Sequence, residues 1–469
     1  MKIFLQNTLT SRKEEFLPIK KGQVSMYNCG PTVYDYAHVG NLRSYVFADI
    51  LRRMFEYNKY KVRQVINITD IGHLSSDADE GEDKMTKALK RMRKPLTLVA
   101  MREVADFYFR KFQKDLKSLN IKSPAELPFA SDNIKEDIDL ITRLSEKDFT
   151  YRTSDGIYFD TSKFADYGRL GNIKSMETPE SRIGTNTEKR DYRDFAVWKF
   201  NNELGYDAPF GKGFPGWHIE CSAMSVKYLG PEFDVHTGGI DHIPVHHNNE
   251  IAQSVCAGDP YAHYWMHNAF LNVGEESARM AKSAGDFITL KVVKKKKIEP
   301  LAVRYLFLGA RYSSPLQFSW ESLESADTSL SKLRARFQEL GEHEPDTLED
   351  KKLVVKNYKK KFNEAINDDL DTATPLAMVW EILKSETVGD GDKRKLIMGF
   401  DRVLGLKISK KVKSKKVEIP ENIQNLIKER DLARNNKDFA KSDQIRTEIE
   451  TLGFEVKDTT EGTEVTSRQ

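Results

Sequence analysis

Apolar positions near the start of the chain change period twice within about 45 residues. In GQVSMYNC, from Gly22 to Cys29, apolar and polar residues alternate as on a half-buried strand. From Asn41 onward Phe47, Ile50, Leu51, Met54 and Phe55 recur at i, i+3, i+4, i+7 and i+8, which is one face of a helix. After YNKYK the run VRQVINIT is strand-like again. Strand, helix and strand over so short a span predict a βαβ unit with a parallel pair. Cys29 then falls at the carboxyl end of the first strand, and Thr69 and Asp70 at that of the second. In open α/β sheets ligands bind at that edge.

Residues 120–205 break this rhythm. YRTSDGIYF places a Ser-Asp-Gly turn between aromatic and β-branched residues and predicts a hairpin. The α/β pattern resumes with FDVHTGGID at 233–241, then a helix from about His246 to Ala257 that ends at Gly258. From 326 to about 405 the pattern is almost wholly helical, as in SLSKLRARFQEL and TPLAMVWEILKSE. Beyond the Lys-rich stretch 407–416, two helices and a short hairpin, GFEVKDTTEGTEV, are expected. The fold class expected is α/β. A Rossmann-like parallel-sheet catalytic domain occupies 1–120 and 206–268, with 121–205 inserted as a connective domain. Residues 269–325 lead to a helical bundle at 326–406, a basic linker at 407–417 and a small C-terminal α+β domain at 418–469.

Composition narrows this picture slightly. At 469 residues the chain is too long for one core, and roughly 150 residues per domain suggests about three domains. No apolar run reaches the ~18 residues of a membrane span, so no membrane partner is expected. MKIFLQNTLTSRKEEF has no long apolar core with a small-residue cleavage site, so no secretory signal is expected. Cys29, Cys221 and Cys256 are three and widely spaced, which is no disulfide framework and suits a reducing cytoplasmic compartment. A net charge of +3 neither requires nor excludes nucleic acid. The runs KVVKKKK at 291–297 and KISKKVKSKK at 407–416 are locally basic, either as solvated faces or as contacts to an anionic partner.

Candidate chemistry collects in a few stretches. Cys221 lies in GWHIECSAM, and His246 and Glu250 lie in HIPVHHNNEIAQS. His246 and Glu250 are four apart and share a helix face. Thiolate, imidazole and carboxylate all bind zinc, and Cys29 can join them if the sheet sets the first strand beside the one ending near Gly238. The alternative is a surface His/Glu pair and two core thiols. Cys256 reads as core; His242, His247, His263 and His267 either line the site or decorate it. In HVGNLR a helix N-terminus offers free N–H groups to phosphate, Gly40 allows close approach, and His38 and Asn41 add donors. GEESARMAKSAGD at 274–286 is either a cationic lid carrying Arg279 and Lys282, with Gly274 and Gly285 as hinges, or a basic surface loop. In VHTGGID, Gly238 and Gly239 end a strand where adenosine can lie against bare backbone.

Taken in order, CGPTVYDYAHVGNLR, NITDIGH, PGWHIECSAM, TGGIDHIPVHHNNEIAQS and RMAKS resemble the cysteinyl-tRNA synthetases, a class I aminoacyl-tRNA synthetase family. The resemblance runs over nearly the whole chain: NDDLDTATPLAMVWEIL and KDFAKSDQIRTEIETLGFEVKD are similar to the family's helical and anticodon-binding parts. It implies ATP-dependent activation of L-cysteine and transfer to tRNA(Cys) by a monomer, with one Zn2+ per chain and Mg2+ accompanying ATP. His38, Gly40 and Asn41 stand in the first nucleotide signature, and Arg279 to Ser283 in the second. Cys29, Cys221, His246 and Glu250 stand where the family holds zinc, and Trp217 and Thr69 near the substrate cysteine. Asp241 is assigned to a ribose hydroxyl or the substrate ammonium. Residues 269–325, with the segment VRYLFLGARYSSPLQFSW, correspond to the acceptor-stem contact region. Arg434, Phe439, Asp443 and Asp458 are candidates for reading the anticodon, the alternatives for Phe439 and Asp443 being a core residue and an N-cap.

Two departures from the family pattern stand out. Arg279 and Ala281 replace a lysine and a serine of the lid signature, which predicts slower rather than absent activation. Val465 stands where the family often has tryptophan. Two rival readings are a related ligase joining cysteine to an amino sugar, which lacks the C-terminal domain, and a catalytically impaired tRNA-binding paralogue.

Overall fold

The structure is a computed structural model and describes residues 1–71, 84–175, 187–273, 278–279, 288–343, 349–411, 420–459 and 462–467. The chain forms two compact units, Met1–Lys410 and Lys411–Gln469.

The Rossmann-like sheet expected from the sequence is present. Its strands are β1 (Gln23–Asn28), β2 (Lys61–Ile66), β3 (Glu232–Gly239) and β4 (Tyr261–Asn268), in the order β4-β3-β1-β2 and all parallel. Four helices position the site: α1 (Val39–Tyr57), α2 (Lys84–Arg91), α3 (Ile219–Leu229) and α4 (Asn248–Ala257). On α1 the predicted stripe Phe47, Ile50, Leu51, Met54 and Phe55 is buried. Each such side chain contributes about 1.5–3 kcal/mol relative to exposure. The alternation expected of β1 holds only at its start. Met26, Tyr27 and Asn28 are buried in succession, because a central parallel strand is covered on both faces.

A second, antiparallel sheet forms from Thr150–Arg152, Gly156–Phe159, Phe195–Phe200 and Gly213–Pro215, so YRTSDGIYF is the hairpin expected. It has its own core, in which Phe159 stacks on Phe195 with ring centroids 5.1 Å apart. Its fourth strand lies beyond 205, the boundary expected for the insertion, since Phe200 pairs with Gly213 and Trp198 with Pro215. That strand ends the sheet, where a proline without an N–H is tolerated.

The helical region begins earlier than 326. Its first helix is Trp320–Glu339, started by a reciprocal cap between Ser319 and Ser322. Helices Glu349–Asn367, Ala373–Lys384 and Asp390–Leu404 follow. The first residues of the expected linker at 407–417 are packed. Ile408 is fully buried, Asp401 accepts from the N–H groups of Leu406 and Ile408 at 2.7 and 2.9 Å, and Arg334 donates to the carbonyls of Leu406 and Lys407. Residues 412–419 of that stretch lie outside the described residues.

The second unit consists of helices Glu421–Asn435 and Phe439–Thr451 and an antiparallel hairpin of Phe454–Thr459 with Gly462–Ser467. Ile423, Ile445, Ile449, Val456 and Val465 form its core. Among the described residues no helix is long and apolar enough to cross a membrane.

Candidate active site and metal centre

β1 pairs with β2 on one side and β3 on the other, so successive connections leave it in opposite directions. A crevice opens at the carboxyl ends of strands at such a switch point. Here it is a cleft of about 810 Å³, into which the strand ends bring Cys29, Thr69, Gly238 and Asn268.

Four residues from three segments remote in sequence meet on its floor. Cys29 follows β1, Cys221 lies in the first turn of α3, His246 lies in the π-turn Ile243–His247 and Glu250 lies in the first turn of α4. One ligand atom from each falls within 4.8 Å of all the others, and all four groups are buried. His246 Nε2 is 3.0 Å from Glu250 Oε1, as the shared helix face predicts. Cys29 Sγ is 3.8 Å from the same oxygen. Glu250 Oε2 accepts from the Tyr261 hydroxyl at 2.6 Å and lies 2.8 Å from His236 Nε2. His246 Nδ1 is 2.8 Å from His218 Nδ1, which fixes the plane of the ring.

The electrostatics of the cluster follow from burial and proximity. Burial and the Cys221 sulfur push the Cys29 thiol up, while the hydrogen bond from Cys29, with help from His246, brings Cys221 down to about 6. Burial opposes charge on His246, but Glu250 and Cys221 outweigh it and raise the imidazole to about 10. Burial likewise opposes the Glu250 carboxylate, yet His236 and His246 hold it well below the usual range. Two thiols, an imidazole and a carboxylate form a soft-to-borderline set that fits zinc and suits neither magnesium nor calcium.

The other histidines divide. His247 Nε2 lies 3.2 Å from Cys29 Sγ, and its Nδ1 lies 2.7 Å from His267 Nε2. Burial depresses His247 and His267 and brings His242 down to about 4. His263 is at the surface, paired with Glu232 at 2.7 Å. Cys256 packs in the core of the antiparallel region, where burial pushes its thiol up to about 12. Sequence reasoning passed over His236 and His218. His236 carried a signal, because it shares a strand face with Gly238 two residues on. The bare side of Gly238 is used by imidazoles: a Cβ there would lie 2.6 Å from both His242 Nδ1 and His247 Cε1.

The nucleotide candidates lie along the same cleft. His38 is the N-cap of α1; its Nδ1 accepts from the Asn41 N–H at 3.1 Å, and Asn41 Oδ1 accepts from the His38 N–H at 3.3 Å. Thr69 is buried, and Trp217 lies against His246 with ring centroids 4.7 Å apart. Gly239 and Asp241 also line the cleft. Arg279 belongs to the two-residue strand Ala278–Arg279, which pairs with Leu271–Val273, and Lys282 lies outside the described residues. A further cationic wall was not anticipated: Lys84, Lys87 and Arg91 of α2 line the cleft at i, i+3 and i+7. That spacing in DKMTKALKR was the available signal. Arg91 is anchored by Asp35 at 2.9 Å, the Tyr34 carbonyl at 2.6 Å and the Tyr108 hydroxyl at 2.9 Å.

In the second unit, Arg434 and Asp458 form an ion pair with each other, and Asp458 also accepts from Arg430 at 2.7 Å. The two arginines bring the Asp458 carboxyl down to about 2. Phe439 is 63% exposed at the first turn of its helix, so it is no core residue. Asp443 lies inside that helix, whose N-cap is Asp438, accepting from the Lys441 N–H at 3.1 Å.

Known proteins resemble the chain along both units. Residues 15–328 match the family of class I (C) tRNA synthetase catalytic domains, and residues 416–465 match the cysteinyl-tRNA ligase anticodon binding domain. Cysteine–tRNA ligase 1 of Burkholderia lata is 43% identical over 98% of this chain and 96% of its own length. Cysteine–tRNA ligase of Treponema denticola is 41% identical over 98% of both. Among solved structures, Mycobacterium tuberculosis methionyl-tRNA synthetase with methionyl-adenylate shares the fold at a TM-score of 0.56, with 14% identity over 82% of this chain and 90% of that one. Matches of this extent place the chain in the cysteinyl-tRNA ligase family of class I aminoacyl-tRNA synthetases.

Proposed function

We propose that the chain activates L-cysteine with ATP and transfers the cysteinyl group to tRNA(Cys), and that zinc held by Cys29, Cys221, His246 and Glu250 selects the substrate through its sulfur. The convergence of those four donors within 4.8 Å, on the floor of a cleft that reaches the N-terminus of α1, carries the reading. Cysteine and serine differ by one atom, and packing alone discriminates such pairs by only ~10–200-fold. Zinc supplies a partner for a substrate thiolate that a serine hydroxyl, which holds its proton far more tightly, matches poorly.

The residues of the chain then have separable tasks. Cys29, Cys221 and His246 line the cleft and draw the substrate side chain to its floor. Trp217 flanks that position and Thr69 borders the backbone of the amino acid. The substrate carboxylate attacks the α-phosphate of ATP, the P–O bond to pyrophosphate breaks, and pyrophosphate leaves; Mg2+ arriving with ATP would neutralise part of its charge. No protein nucleophile takes part, so catalysis rests on positioning and on stabilising phosphate charge. Because His38 Nδ1 accepts from the Asn41 N–H, the neutral ring carries its proton on Nε2, a donor for a phosphate oxygen. Gly40 keeps that ring close to the helix N-terminus. Arg279 and Lys282 serve as the cationic lid. Gly238 and Gly239 border the adenosine, and Asp241 takes a ribose hydroxyl or the substrate ammonium.

For tRNA, residues 269–325 contact the acceptor stem and the C-terminal domain reads the anticodon, with Phe439 stacking on a base and Asp443 at its rim. Arg434 and Asp458 enter that surface as a pair. The enzyme works in a reducing, cytoplasmic compartment, a reading supported by three free cysteines, and acts as a monomer. The anticodon-domain match at 416–465 argues against the amino-sugar ligase.

ATP–pyrophosphate exchange with cysteine and with serine, run on intact and metal-stripped protein beside tRNA charging, tests this. With metal, the preference for cysteine exceeds ~200-fold; stripping brings it below that packing limit. If the stripped protein keeps its full preference, zinc is not the selector.

A further inference from the structure

The cleft floor contains two four-donor sets. Besides Cys29, Cys221, His246 and Glu250, the ligand atoms of Cys29, His236, His247 and Glu250 also lie within 4.8 Å of one another, again all buried. The sets share a thiol and a carboxylate and differ in the remaining two donors. Glu250 turns Oε1 toward His246 at 3.0 Å and Oε2 toward His236 at 2.8 Å. His247 Nε2 stands 3.2 Å from Cys29 Sγ and 3.9 Å from Glu250 Oε1.

Two observations distinguish this set from ordinary buried polar packing. The other ring nitrogen of His247 is held by His267, whose Nδ1 in turn meets the Thr8 hydroxyl at 2.8 Å. That is the outer-sphere arrangement that fixes the tautomer and plane of a metal-binding imidazole. The two sets also differ in access. Cys29, Cys221 and His246 line the cleft, whereas His236, His247 and Glu250 lie behind that lining. An ion in the outer seat therefore borders the space an incoming ligand enters through three of its donors, whereas only Cys29 of the inner set reaches that space.

We propose that the floor holds a second, deeper seat for the divalent cation, formed by Cys29, His236, His247 and Glu250, which retains the ion when the outer seat loses a donor. The inference rests on the zinc reading above. Because Cys29 and Glu250 belong to both seats, one ion is expected per chain. One sulfur, two imidazole nitrogens and a carboxylate oxygen satisfy zinc or cobalt(II) as the outer set does, with one thiolate fewer. In the outer seat the ion faces the substrate; in the inner one it is out of reach.

The test uses the full-length chain, stripped and reloaded with Co2+, whose sulfur-to-metal charge-transfer absorption scales with the number of bound thiolates. The unsubstituted protein takes one Co2+ per chain with a two-thiolate band. Cys221→Ser keeps one Co2+ per chain with about half that band, and His246→Asn, which also disables the outer seat, keeps one with a one-thiolate band. His236→Gln with His247→Asn leaves the two-thiolate band of the unsubstituted protein intact. Added to Cys221→Ser, the same pair abolishes binding. If Cys221→Ser or His246→Asn is folded by circular dichroism and binds no Co2+, the inner seat does not exist. If either binds Co2+ regardless of His236 and His247, the seat is wrongly assigned. Should Cys221→Ser fail to fold, His246→Asn poses the same question. Failure of the unsubstituted protein to bind Co2+ would instead overturn the parent reading.

Discussion

Adding one methyl group at Gly40 isolates what the turn into α1 does. A Cβ at this position would lie 2.9 Å from His38 Nδ1 and 3.0 Å from Cε1. The ring cannot simply lean away, because Nδ1 accepts from the Asn41 N–H at 3.1 Å and Asn41 Oδ1 takes the His38 N–H in return. In Gly40→Ala either the ring swings off its cap or the first turn shifts. Losing the cap costs about 1 kcal/mol. Alanine in place of glycine within a helix returns up to about 1 kcal/mol. Stability should therefore change by less than about 1 kcal/mol. Activity has no such offset if His38 serves phosphate as proposed: displacing a positioning group by about an ångström costs on the order of 100-fold. The assay is ATP–pyrophosphate exchange with cysteine, beside a thermal melt and metal analysis. The expected signature is kcat/KM for ATP down about 100-fold with Tm and metal content nearly unchanged. Exchange within threefold of the parent would mean that the crowding between residues 38 and 40 does not set the geometry of the site.

Three further outcomes follow from groups outside that turn or from the metal cluster. Asp49 is buried and pairs with Arg53 at 2.7 Å and Arg304 at 2.6 Å, so Asp49→Ala leaves buried arginines unpaired and should cost about 3–5 kcal/mol in urea unfolding. Burial pushes the Asp115 carboxyl from 3.8 up to about 6, against the pull of Lys294, so its ionisation costs stability progressively as pH rises from about 4 through 6. Asp115→Asn should gain about 1–2 kcal/mol at pH 7 and almost nothing at pH 4, read by thermal melts at both. Metal-stripped protein should release two protons per Zn2+ bound near pH 7, measured by calorimetry in buffers of different ionisation enthalpy; one proton or none would contradict the protonation pattern of the four donors.

How much was legible in the sequence depended on whether the determining contacts were local. The stripe on α1, the hairpin in YRTSDGIYF and the His246/Glu250 pair were visible because period and spacing encode them. The convergence of Cys29 with Cys221 is not encoded by period or spacing, since it depends on the order β4-β3-β1-β2; it was expected only from the ordered motifs and their family resemblance. The edge at 205 was missed for a similar reason: Gly213–Pro215 is a strand only because Phe195–Phe200 offers it a partner. The Lys-rich composition at 407–417 predicts a linker, yet Ile408 within it is a core residue, and the backbone from Leu406 to Ile408 is held by Asp401 and Arg334. Lys84 and Lys87 went unnoticed because cations at helical spacing ordinarily mark a solvated face, and only the fold turns that face into the cleft.

The cluster also suggests why a buried set with two thiols and a carboxylate is tolerable before an ion arrives. Near pH 7 Cys29 keeps its proton, Cys221, at about 6, is mostly thiolate, His246, at about 10, is imidazolium, and Glu250 is carboxylate. The four donors then carry two anions and one cation, one net negative charge. When a divalent cation displaces the protons on Cys29 and His246, three anions and a dication again leave one net negative charge. The exchange of two protons for one ion leaves the net charge of the buried set unchanged, so the stripped site has no electrostatic reason to collapse. It also ties affinity to pH: two displaced protons mean roughly 100-fold per pH unit between about 6 and 10. Below about 6 Cys221 takes up a third proton, and the dependence steepens. On the zinc reading proposed above, an incoming cysteine would obey the same rule, because its thiol would give up a proton to reach the ion, which a serine hydroxyl, holding its proton far more tightly, would not.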